Sequence, residues 1–165
     1  MNATSGGGAA YLAGLPRGTS AAAHPFNEYG IQLSRGFMAL KVWMSLHADG
    51  LETYARLVAQ NVAQAAWLAA AVDAHPALER LAPVPLNVVC LRYRGALPDD
   101  ALEAVNTELL MRLQERGIAV PSAGRVRGAF AIRCAISNHR TRIADLAALV
   151  DAVARIGAEI EGERV

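Results

Sequence analysis

The stretch LNVVCLRYRG, residues 86–95, decides the fold class. Val89, Leu91 and Tyr93 alternate with Val88, Cys90, Arg92 and Arg94, the period of a strand with two different faces. Upstream the period is helical. Leu33, Phe37, Leu40 and Met44 follow the i, i+4, i+7, i+11 spacing, and Val42, Trp43 and Leu46 widen the stripe until most sides of that helix ask for burial. Asp49-Gly50 ends it. A longer helix is expected over 51–74, with Leu51, Tyr54, Val58, Val62, Ala65, Leu68 and Val72 on one face. Glu52 and Arg56 pair at i, i+4 on its wet side, and His75-Pro76 closes it.

Downstream of the strand, Pro98-Asp99-Asp100 starts a helix carried by Leu102, Val105, Leu109 and Leu113, with Gly117 just past its end. A short strand is expected over 118–121 and a turn or hairpin over 124–128. Phe130, Ile132, Cys134 and Ile136 then alternate along a second clear strand. Thr141 is the expected cap of a last helix through Ile143, Leu146, Val150, Val153 and Ile160. Two helices followed by β-α-β-β-α predict an α+β fold, a small and mostly antiparallel sheet covered by helices. Residues 1–30 carry no such period, and include Gly6-Gly7-Gly8, Pro16, Gly18 and Pro25. They read as an arm that needs a surface from elsewhere, and 31–165 as one α+β domain.

Composition narrows the function. The chain has 165 residues, 53% of them hydrophobic and 19% charged, with a net charge of +1. That balance and a mean hydropathy of +0.22 fit a globular chain. Neither the charge nor 5% aromatics points to nucleic acid. The longest apolar run, 63–72, is half a membrane span, and no basic segment leads into an apolar core, so neither a membrane anchor nor a secretory signal is expected. Two cysteines make no disulfide framework and fit a reducing, cytoplasmic setting.

Motifs for chemistry are few. His24, His47, His75 and His139 are scattered without zinc spacing, so no metal is expected. Cys90 and Cys134 read as strand packers. The pairs Arg92/Arg94 and Arg125/Arg127 read as solvated strand edges. Lysine occurs once, at Lys41, among sixteen cations, and is the only residue that could form a Schiff base with a carbonyl cofactor. No glycine-rich phosphate cup accompanies it. Arg35 follows Ser34, a plausible helix cap, where a cation opposes the helix dipole at a cost of roughly 0.3–1 kcal/mol. Either it is a solvated arginine tolerated at that cost, or it helps the helix start hold a carboxylate or phosphate.

The segment YGIQLSRGFMALKVWMSL, 29–46, resembles the start of the C-terminal part of the group II pyridoxal-phosphate-dependent amino-acid decarboxylases. That family includes aromatic-amino-acid, histidine and glutamate decarboxylases. Leu33, Ser34, Arg35, Phe37, Leu40, Lys41 and Trp43 match its pattern, while Gly36 replaces a common second arginine. LNVVCLRYRG and GAFAIRCAISNHRTRIADL, 128–146, are similar to later stretches of it. The resemblance implies the C-terminal small domain of a fold-type I pyridoxal-phosphate enzyme. It implies packing on an N-terminal cofactor domain, a homodimer, and an arm over 1–30 in the place of an active-site loop. Arg35 falls on an arginine associated with the substrate carboxylate, and Tyr29 is the nearest candidate for the loop's tyrosine. The family's Schiff-base lysine lies upstream of this segment, and Lys41 matches a different, helical lysine. The chain is therefore expected to bind no cofactor and to be inactive alone. The alternative reading is a non-enzymatic module that self-associates or docks on another chain through its apolar first helix.

Overall fold

The computed structural model describes residues 36–163. The chain divides into two units, and the described residues fall as 36–48 in the first and 49–163 in the second. The first holds nearly all of helix α1, Met38–Asp49. Gly36 and Phe37 precede the helix, so its first turn is Met38 to Lys41; the expected start at Ser34-Arg35 lies outside the described residues. No residue of α1 is buried. The expected burial of its wide apolar stripe is therefore corrected: Phe37, Met38, Val42, Trp43 and Met44 are all more than half exposed. A stripe that runs most of the way round a helix buries only when other elements surround it. Trp43 and His47, one turn apart, stack obliquely with ring centroids 5.2 Å apart.

The second unit contains α2 (Leu51–Ala74), β1 (Leu78–Arg80), β2 (Val88–Tyr93), α3 (Leu102–Glu115), β3 (Ser122–Val126), β4 (Ala129–Ala135) and α4 (Ile143–Gly162). The four strands form one antiparallel sheet in the order β1-β2-β4-β3. The two strands with the clearest alternation, β2 and β4, are its centre. They pair from Val88↔Ala135 to Leu91↔Ile132. Val89, Leu91 and Tyr93 of β2 are buried while Val88, Cys90 and Arg92 are half-buried. Helices α2, α3 and α4 contribute Ala65, Leu68, Val72, Val105, Leu109, Leu113, Val153 and Ile156 to one core with that face of the sheet. The α+β class, with helices over a small antiparallel sheet, is as the sequence predicts.

Local corrections have local reasons. β1 was not expected; Leu-Glu-Arg is too short and too charged to show a period. The expected strand at 118–121 lies further on, as β3, and Gly124 is a strand residue within it. The turn is Arg127-Gly128, both with positive φ (49° and 85°), closing the two-residue hairpin between Val126 and Ala129. Thr141 does not cap α4. Arg142 is the cap residue, and its backbone N–H donates to Asp145 Oδ2 at 2.8 Å. Helix α3 ends as expected at Gly117 (φ 65°). Ile118 N–H donates to Leu113 O and Gly117 N–H to Gln114 O, both at 3.0 Å, a Schellman ending that satisfies two orphan carbonyls.

Tyr93 links three elements. Its hydroxyl donates to Glu161 Oε2 at 2.5 Å, and Glu161 Oε1 accepts from Ala96 N–H at 3.1 Å. This ties the end of α4 to the segment after β2. Burial first, and then the hydrogen bond to the Glu161 carboxylate, push the phenol up to about 12. The native state therefore keeps a proton that the unfolded chain loses near pH ~10. The stability this group contributes is whole below pH ~10 and is lost as pH rises through about 12. Urea midpoints should fall between pH 9 and pH 12, and Tyr93→Phe should fall less steeply. Equal slopes would refute the assignment.

Candidate functional site

On the sheet face opposite the core, β2 presents Val88, Cys90 and Arg92, and β4 presents Arg133 between Ala131 and Ala135. Ala129, Ala131, Arg133 and Ala135 of β4 alternate with the core-facing Phe130, Ile132 and Cys134. Across the ladders, Arg133 has Cys90 as its partner on β2 and Ser122 as its partner on β3. Gly124 lies alongside; a Cβ there would be 3.7 Å from Arg133 Cβ. Arg133 is exposed and stands on a strand flanked by others on both sides, which fixes its backbone more firmly than a loop would.

Its lack of a carboxylate partner sets it apart from most arginines here. Arg80 pairs with Asp73, Arg92 with Glu79 at 2.7 Å, Arg94 with Asp99, Arg116 with Glu159, and Arg125 with Glu103. Arg112 takes Glu108 and, through both terminal nitrogens, Glu163. Arg94 and Arg125 remain exposed at a strand end and on the edge strand β3, as expected, with an acid beside each; Arg92 departs from the expectation, being largely covered on the inner strand β2. Among the described residues, Arg127, Arg133, Arg140 and Arg142 have no carboxylate partner. Arg127 is in the hairpin turn, and Arg140 and Arg142 flank Thr141 ahead of α4. Only Arg133 of these is on a strand. An unpaired guanidinium on a rigid strand can take a carboxylate or phosphate through two parallel hydrogen bonds. The alternation that places it was legible in the sequence; its lack of an acid was not, because ion pairs join residues distant in the chain.

The other expected chemistry is quieter. Arg35 and Tyr29 lie outside the described residues, as does the arm over 1–30. Lys41 is exposed on α1. Cys134 is buried, and burial pushes its thiol up to about 12, which suits a packer rather than a nucleophile. His75 Nδ1 accepts from Ala77 N–H at 3.2 Å, a loop role. Among the described residues no three His, Cys, Asp or Glu side chains come together to hold a metal. No helix among them is long and apolar enough to cross a membrane.

No family model matches the chain. An aromatic-L-amino-acid decarboxylase of Bacillus atrophaeus is 26% identical over 82% of this chain and 28% of its own length. A tyrosine decarboxylase of Oryza sativa subsp. japonica is 33% identical over 70% of this chain and 24% of its own. In structure, an Oryza sativa TDC solved with PLP and tryptamine superposes with a TM-score of 0.74, covering 81% of this chain and 29% of that one at 22% identity. The chain is similar to the C-terminal region of the group II pyridoxal-phosphate-dependent amino-acid decarboxylases. It spans about a quarter of the length of the curated relatives it matches.

The described residues do not fit pyridoxal phosphate as a site of their own. A depression beside α3 is lined by Glu108, Arg112, Ile160 and Glu163, where two acids already occupy the arginine. A second, lined by Arg92, Asp99, Glu103 and Phe130, likewise brings acids and no lysine. Neither offers a free cation for the phosphate.

Proposed function

We propose that this chain is the C-terminal part of a pyridoxal-phosphate-dependent amino-acid decarboxylase, a carboxy-lyase, and that it is inactive by itself. The observation that carries the reading is the match of both sequence and fold to about a quarter of such enzymes, in a chain whose sole lysine stands exposed on α1. The cofactor and its electron-sink chemistry belong to an N-terminal cofactor domain of the same protein, in a cytoplasmic homodimer. This chain's contribution is a rigid wall for the site, with residues 1–30 as the loop arm, Tyr29 as the loop's tyrosine, and an arginine for the substrate carboxylate. Arg35 holds that role by resemblance. Arg133, exposed on β4 and without a carboxylate partner among the described residues, is the second candidate.

Two experiments test the proposal. Pyridoxal phosphate added to the purified chain and trapped with borohydride should give no stoichiometric adduct. A one-to-one adduct abolished by Lys41→Ala would overturn the inactive reading. In the whole enzyme, Arg133→Leu and Arg35→Leu should separate the two candidates. The true carboxylate ligand should lower kcat/KM about 10- to 100-fold, the worth of a charge-assisted hydrogen bond of about 1.5–3 kcal/mol. Unchanged kinetics in both variants would refute a carboxylate role for either. The exposed apolar residues of α1 favour a second reading, a non-enzymatic docking module. A whole gene product with no decarboxylase activity would support it.

A further inference from the structure

We draw no further inference here: the strongest candidate, the unpaired Arg133 on the sheet face opposite the core, belongs to the site already described.

Discussion

Gly157→Ala is expected to unfold the protein or to destabilise it by about 3 kcal/mol. Helix propensity alone predicts the opposite. Gly157 lies within α4, where alanine is favoured over glycine by about 1 kcal/mol. The ring of Tyr93 reverses the sign. A Cβ on Gly157 would lie 2.7 Å from Tyr93 Cε2 and closer still to Cγ and Cδ2. The ring cannot retreat, because its hydroxyl is tied to Glu161 one turn further along the same helix and the residue is only 3% exposed. Gly95 closes in from another side; a Cβ there would meet Tyr93 Cε1 at 2.7 Å. Urea denaturation reads the effect. Pairing Gly157→Ala with Tyr93→Leu should recover part of the loss, as expected for residues in contact. A stabilised Gly157→Ala would show that the helix and sheet do not approach this closely.

Asn106→Leu should cost about 3–5 kcal/mol, although it replaces a polar residue in the core with an apolar one of similar size. Asn106 is fully buried. Its Oδ1 accepts from Tyr93 N–H at 2.7 Å, and its Nδ2 donates to Tyr93 O at 2.8 Å and Leu102 O at 2.9 Å. The β2–β4 ladder ends at Leu91↔Ile132. Asn106 supplies Tyr93 with the donor and acceptor that another paired residue would give. Leucine would leave that N–H and C=O buried without partners, at about 1–3 kcal/mol each. Denaturant midpoints and amide exchange at Tyr93 both report it. A neutral Asn106→Leu would mean that water or a shifted β4 takes over the bonds. Both substitutions act on the core side of the sheet at Tyr93, so a loss of activity in them should track the loss of folded protein.

The fold was legible wherever one face of an element meets the core and the other does not. Strand β2 shows this in Val89, Leu91 and Tyr93, and strand β4 in Ile132 and Cys134. Helix α2 was bounded correctly at Leu51 and Ala74, although Leu51 and Val58 on its expected face are exposed. Periodicity shows which side of an element is apolar, not how far along its length a partner reaches. For the same reason α1 reads as a helix but not as an unburied one. Strand β1 escaped notice because three residues carry no period, and the pairing to β2 that makes it a strand lies in another segment.

By itself, then, the sequence determined the class, the central strands, the helices and the family likeness, because alternation, caps and motif spacing are local properties of the chain. Tertiary structure alone decided the rest. It gave acids to Arg80, Arg92, Arg112 and Arg125 and, among the described residues, none to Arg133. It turned Asn106 from a helix residue into a ladder partner, and set a tyrosine ring against Gly157. Each of those outcomes depends on which distant residues meet, and a contact across the fold leaves no periodic trace in either segment that makes it.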